Sequence, residues 1–139
     1  MIYLDTSVVV AVLTGEAQSL AVTASLRRQQ PGQLWISLWT RTEAAGALAA
    51  KVRGGQLRRN RLSQALDDLG NGPWRVIDVQ ARDYDRAASW AAQLPLVLRG
   101  GDALHLAIAH RADFQIATFD GGMAKAAALL GLPLADDLI

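Results

Sequence analysis

Ile2-Tyr3-Leu4-Asp5, running on into Thr6-Ser7-Val8-Val9-Val10-Ala11-Val12-Leu13, is the stretch whose reading decides the fold. An apolar run this short, closed by an acid, reads as a buried strand with a carboxylate at its carboxyl end. Residues 6–13 are rich in β-branched side chains and favour strand by propensity. A strand continuing through Leu13 would be long, however, and Thr6 or Ser7 offers a capping hydroxyl, so the segment predicts a helix. A buried strand that passes straight into a helix is how an α/β fold begins.

The rest of the chain repeats that alternation. Gly15 and Glu16 break the first helix, and a second is predicted over 17–30, ending at Pro31-Gly32. Strands are predicted at 34–37, 74–79 and 115–118, with a short edge strand at 132–135 where Pro133 is tolerated. Helices are predicted over 38–53, 56–69, 80–93, 102–111 and 121–130, with a loop over 95–101 and Gly131 as a C-cap. The expected architecture is one domain over residues 1–139, three-layer α/β/α. Its central sheet is mainly parallel, with four to five short strands.

Composition removes several function classes. The 139 residues include no cysteine, which excludes disulfides, zinc–thiolate sites and a cysteine nucleophile. A reducing, cytoplasmic location fits that. Asp5 interrupts the first apolar stretch, and no uncharged run is long enough to cross a bilayer, so neither a signal peptide nor a membrane is expected. The net charge of +1 says little, but twelve of the fourteen basic residues are Arg. Arginine suits forked contacts with phosphate; a high-GC genome enriches it equally well.

Four acids stand in apolar surroundings: Asp5, Glu43, Asp102 and Asp120. A carboxylate there is costly unless paired, hydrogen-bonded or bound to a cation. Asp5 and Asp120 follow predicted strands, placing both beyond the carboxyl edge of the sheet, where open α/β sheets bind ligands. Asp102 opens a helix and would alone pass for an acid favoured by the helix dipole. Glu43 lies mid-helix, where capping cannot account for it, beside Trp39, Gly46, Ala47 and Ala50 at helical spacing. If the four meet, they form an oxygen-rich site for Mg²⁺ or Mn²⁺ suited to phosphate chemistry. Asp67, Asp68, Asp83, Asp85, Asp136 and Asp137 read as solvated, and Asp113 as a turn residue.

Other polar groups carry weaker signals. Thr6, Ser7 and Thr118 flank Asp5 and Asp120 and suit orienting those carboxylates, although Thr6 and Ser7 also suit capping. His105 and His110 have no metal-binding spacing to each other and read as packed or solvated. Arg53, Arg58, Arg59 and Arg61 surround the Gly54-Gly55 turn, either to guide a polyanion or as a solvated helix tip. Trp35, Trp74 and Trp90 read as core, with Trp39 open to either core packing or stacking.

Taken together, these residues resemble a PIN domain, most closely the VapC-type toxin of bacterial and archaeal toxin–antitoxin pairs, along essentially the whole chain. Ile2-Tyr3-Leu4-Asp5-Thr6-Ser7 is similar to the family's opening. Ser37 followed by Glu43 resembles its second motif, Asp102-Ala103-Leu104-His105-Leu106-Ala107 its third, and Thr118-Phe119-Asp120 its closing Thr-x-Asp. The resemblance implies a Mg²⁺- or Mn²⁺-dependent endoribonuclease whose acidic cluster is Asp5, Glu43, Asp102 and Asp120, supported by Thr6 and Thr118. It also implies a homodimer inhibited by a VapB-like antitoxin, and products with 5′-phosphate and 3′-hydroxyl ends.

Two rival classes differ in chemistry. A phosphoaspartyl phosphatase would carry a second acid two residues after the first, where this chain has Ser7, and a receiver domain would want a lysine after a late strand, whereas Lys125 falls inside a predicted helix. A non-catalytic PIN-like RNA- or protein-binding module would have no need of all four acids.

Overall fold

A computed structural model describes residues 1–15, 19–135 and 138. Four strands, β1 (Ile2–Leu4), β2 (Leu34–Ser37), β3 (Arg75–Ile77) and β4 (Gln115–Ala117), form an all-parallel sheet in the order β3-β2-β1-β4. The described residues also form seven α-helices: α1 (Thr6–Thr14), α2 (Ser19–Arg27), α3 (Leu38–Arg53), α4 (Arg59–Asn71), α5 (Ala81–Ala91), α6 (Gly100–Ala112) and α7 (Gly121–Leu129).

Strand alternation divides the apolar side chains between two layers. Ile2, Leu4, Leu34, Ile36 and Ala117 pack on one face with Val8, Val9, Val22, Leu26, Ala44, Leu48, Ala65 and Leu69 from α1 to α4. Tyr3, Trp35 and Ile116 pack on the other with Ala87, Trp90, Leu106, Ile108, Met123 and Ala126 from α5 to α7. The result is the three-layer PIN-like arrangement. Helix α6 is buried continuously from Ala103 to Ala109, so it is apolar on every side rather than along one stripe.

Several local expectations change. The cap of α1 is Asp5, not Thr6 or Ser7: its Oδ1 accepts from Val8 N at 3.1 Å, and the helix starts at Thr6. The β-branched segment stays helical because Val8, Val9 and Val10 bury their side chains, while Gly15 ends it at φ 67°. The loop expected over 95–101 is shorter, since a 3₁₀ turn takes Leu94–Leu96 and α6 already begins at Gly100. The edge strand at 132–135 reduces to one parallel bridge, Leu134 with Ile116. The start of the helix expected over 17–30, Glu16, Asp136 and Asp137 lie outside the described residues.

Asp83 is not solvated. It is 1 % exposed and accepts from Arg111 Nε at 2.7 Å and from Gln80 N at 2.8 Å. Arg111 also donates to Asp78 O, so the pair braces α5 against α6. Asp67, Asp68 and Asp85 are exposed, as expected.

The topology fixes where a ligand would sit. From β1 the chain moves to β2 on one side, while β4 joins β1 on the other after crossing the whole sheet. Beyond the carboxyl ends of β1 and β4, the helices that follow diverge and leave a crevice, the usual ligand site of such sheets. No single helix among the described residues is long and apolar enough to cross a membrane.

Candidate functional site

A cavity of about 360 Å³ opens at that crevice, and Asp5, Glu43, Asp102 and Asp120 all line it. Thr6, Ser7, His105, Lys51 and Phe119 complete much of its wall. Each acid arrives by a different local route. Asp5 leaves β1 and caps α1, while Asp120 follows β4 and caps α7, its Oδ1 accepting from Met123 N at 2.8 Å. Asp102 lies in the first turn of α6. Glu43 lies on α3 with Ala47 and Lys51 at four-residue steps, and all three face the cavity.

Asp5 is 4 % exposed and held by neutral donors alone: Ser7 Oγ at 2.7 Å and Val8 N on Oδ1, and Thr118 Oγ1 at 2.8 Å on Oδ2. Burial raises its carboxyl, and those bonds only partly offset the effect. Ser7 Oγ also accepts from Phe119 N, and Thr118 Oγ1 accepts from Asp120 N, so these hydroxyls tie the end of β1 to the loop after β4.

Burial works to raise the Glu43 carboxyl as well. Hydrogen bonds from His105 and Thr6, with the electrostatic pull of the imidazole, outweigh it, and the net direction is down. Thr6 Oγ1 donates to Glu43 Oε2 at 2.7 Å, and His105 Nε2 stands 2.8 Å from the same oxygen. Asp102 accepts no hydrogen bond from any described residue. Its carboxyl is raised first by burial and next by Asp120, with Glu43 adding to the push.

The donor set fits a hard divalent cation. All four groups are carboxylates, which suit Mg²⁺ or Mn²⁺ rather than softer metals. Among the described residues, Asp5 Oδ2 has a single donor, Glu43 Oε1 and Asp120 Oδ2 have none, and both Asp102 oxygens are unbonded, so each acid retains acceptor capacity. The mutual repulsion felt by Asp102 is the electrostatic sign of a cluster short of positive charge. No three acidic or imidazole side chains among the described residues already surround one point, so the cluster is open rather than closed.

The remaining expectations divide. Thr6 and Ser7 line the cavity, and Thr118 meets it through Asp5. Arg53, Arg58, Arg59 and Arg61 are exposed around the α3–α4 turn, and none of them lines the cavity. His105 is packed, as expected, at 2 % exposure, yet it also contacts Glu43, which the sequence reading missed. The signal was available: His105 lies three residues after Asp102 on one helix, and Tyr3 lies two before Asp5 on one strand, so each pair shares a side.

Gly101 was also missed. A β-carbon there would lie 2.9 Å from Glu43 Oε1 and 3.5 Å from the Trp39 ring, so a larger residue at the start of α6 would displace the Glu43 carboxylate.

Comparison with known proteins agrees with this arrangement. The fold is similar to that of FitAcB from Neisseria gonorrhoeae (TM-score 0.72, 20% identity, covering 96% of this chain and 96% of that one). It is similar to Mycobacterium tuberculosis VapC20, described as a sarcin–ricin-loop-cleaving toxin (TM-score 0.71, 21% identity, 91% of this chain and 95% of that one). VapBC2 from Rickettsia felis, solved with a DNA fragment from its promoter, is a third (TM-score 0.68, 18% identity, 96% of this chain and 97% of that one). At such identities the likeness is one of fold. No curated protein sequence matches the chain. The PIN domain family model matches residues 2–129, from the first residue of β1 to the last of α7, and so takes in all four acids; the chain belongs to the PIN-domain family.

Proposed function

We propose that this chain is a metal-dependent endoribonuclease that acts as the toxin of a toxin–antitoxin pair. The observation that carries the reading is the meeting of Asp5, Glu43, Asp102 and Asp120 on one cavity at the carboxyl edge of a parallel sheet. Those four residues would hold Mg²⁺ or Mn²⁺. The cation supplies Lewis acidity, offsetting charge on a phosphodiester and making water a better nucleophile.

The chain's own residues do the rest. Ser7 and Thr118 fix the orientation of Asp5, and Thr6 that of Glu43. Asp102, which accepts no hydrogen bond from any described residue, keeps its oxygens open to water at the cavity, and one carboxylate of the cluster would help take the proton of the attacking water. No side chain needs to become a covalent nucleophile. Arg53, Arg58, Arg59 and Arg61 provide a positive surface that attracts the RNA backbone from outside the cavity.

Solved complexes among the similar folds, FitAB and VapBC2, favour an antitoxin of the VapB type as a partner of this chain; a homodimer is proposed from the family resemblance alone. The deciding experiment incubates the purified chain with RNA in Mn²⁺, in Mg²⁺ and in excess EDTA. Cleavage with either cation, lost in EDTA and in Asp102→Ala, supports the reading. Full activity in EDTA or in the variant rejects it. Growth arrest on expression, relieved by the product of an upstream reading frame, tests the biological role.

A further inference from the structure

The polar groups behind Glu43 form a chain that nuclease chemistry as set out above does not use. His105 Nε2 stands 2.8 Å from Glu43 Oε2, and its Nδ1 stands 2.7 Å from Tyr3 OH. The Tyr3 hydroxyl in turn lies 2.8 Å from Ser37 Oγ and 3.2 Å from Thr40 Oγ1, the two residues of the capping box that opens α3. Tyr3, Ser37 and Thr40 are fully buried and His105 nearly so; Glu43, with 31 % of its side chain exposed, is the most open member, and His105 touches the same cavity wall beside it.

Proton positions follow from the acceptor end. An ionised carboxylate only accepts, so Thr6 Oγ1–H and His105 Nε2–H both donate to Glu43 Oε2. The Nδ1 of a neutral ring then accepts from Tyr3 O–H, and the Tyr3 oxygen accepts from Ser37 or Thr40. Burial pushes the Tyr3 hydroxyl far up, so it keeps its proton as this order requires. Two donors occupy Oε2 and leave Oε1 as the oxygen without one.

A buried polar chain of this kind adds little stability over an apolar filling of the same shape. Its effect is on geometry: it links β1, the start of α3 and α6 to one carboxylate. We propose that His105, backed by Tyr3, is a positioning residue that fixes the Glu43 carboxylate at the cavity through Oε2 and so sets the affinity of this cavity for a divalent cation. This rests on the reading of the cavity as a cation site.

The test measures Mn²⁺ binding by calorimetry in the intact chain and in four variants: His105→Leu, His105→Gln, Glu43→Gln and the double His105→Leu/Glu43→Gln. His105→Leu should bind Mn²⁺ about 10-fold more weakly, the usual scale for losing a group that orients a ligand. His105→Gln, which restores an N–H near Nε2, should recover part of the loss. The double variant should bind no more weakly than Glu43→Gln alone, because His105 acts through that carboxylate. Unchanged affinity in His105→Leu, or losses that add in the double variant, would overturn the proposal. Should His105→Leu fail to fold, Tyr3→Phe removes only the hydroxyl and should weaken binding about 3-fold, less than loss of the imidazole itself; no weakening there counts against the proposal. Without any metal, NMR of the imidazole should show a proton on Nε2, and a ring protonated at Nδ1 alone would overturn the assignment. A chain that takes up no Mn²⁺ at all would remove the cation reading and this inference together, whereas normal uptake with unaltered variants removes only the inference.

Discussion

Asp5 and Asp83 are buried to nearly the same degree, 4 % and 1 % exposed, and the molecule treats them in opposite ways. Asp83 meets a guanidinium, Arg111, at 2.7 Å. Asp5 meets two hydroxyls and a backbone N–H, none of them charged, and its carboxyl is raised by burial. A buried charge balanced within the chain is a brace. One left with neutral donors, beside three further carboxylates on one cavity, is where the proposed cation would supply the missing charge. The contrast separates structural from functional acids more cleanly than burial does.

The largest expected effect breaks the functional side of that contrast. Asp5→Asn keeps a good N-cap, since Asn caps as well as Asp, and relieves a buried charge. The variant should melt no lower than the parent while metal-dependent RNA cleavage falls by about 10³-fold, or about 4 kcal/mol in the barrier. An active Asp5→Asn chain would mean that Asp5 is only a cap.

Asp83→Ala should show the reverse pattern. It strands Arg111 between α5 and α6, and losing one partner of a buried pair costs about 3–5 kcal/mol of stability. Cleavage per folded molecule should persist, because Asp83 does not line the cavity. Denaturant melts of this variant and of Asp5→Asn, read beside their cleavage rates, test both halves of the comparison.

These two acids also show what the sequence could and could not reveal. Asp5 was legible because an apolar run fixes a strand and the acid that ends it must fall at the sheet edge; Asp120 was legible for the same reason. The α/β alternation was readable from short apolar runs between helical periods, and even the β-branched α1 was assigned correctly, although its cap was misplaced by one or two residues. Asp83 was misread as solvated because its partner lies 28 positions away, a distance over which local pattern carries no information. His105 was read as packed or solvated and not as a contact of Glu43, since that contact joins α3 to α6 across 62 positions. Gly100 and Gly101 looked like loop residues, and burial of the following turns drew them into the helix. Pairings between distant elements, rather than the elements themselves, were what sequence pattern left out.

A smaller effect separates the cost of the acidic cluster from its use. Asp102 has its carboxyl raised by burial, then by Asp120 and Glu43, so ionisation is less favourable folded than unfolded. That penalty is absent below the ordinary carboxylate range, where both states hold the proton, and complete once pH exceeds the raised folded value. Asp102→Asn should therefore leave stability unchanged in acid and raise it near neutral pH, by on the order of 1 kcal/mol, as for other relieved functional sites. Saturating Mn²⁺ should stabilise the parent more than the variant and narrow the gap. A variant that melts lower than the parent at neutral pH without metal would show that Asp102 is a favourable helix-terminal charge and nothing more.

The smallest expected effect concerns charges that are neither buried nor gathered at the cavity. Arg53, Arg58, Arg59 and Arg61 stand exposed around the α3–α4 turn, so changing one of them to Gln should move stability by no more than about 0.5 kcal/mol. If they attract RNA, each substitution should weaken binding modestly across sequences and reduce the dependence of log affinity on log salt by about one. RNA binding measured over a salt series, with a catalytically silent Asp5→Asn background to prevent cleavage, reads this directly. An unaltered slope in all four variants would return the arginines to the solvated surface. The comparison would then sharpen further: acids chosen by the fold for one edge of the sheet, and a positive surface elsewhere that owes nothing to them.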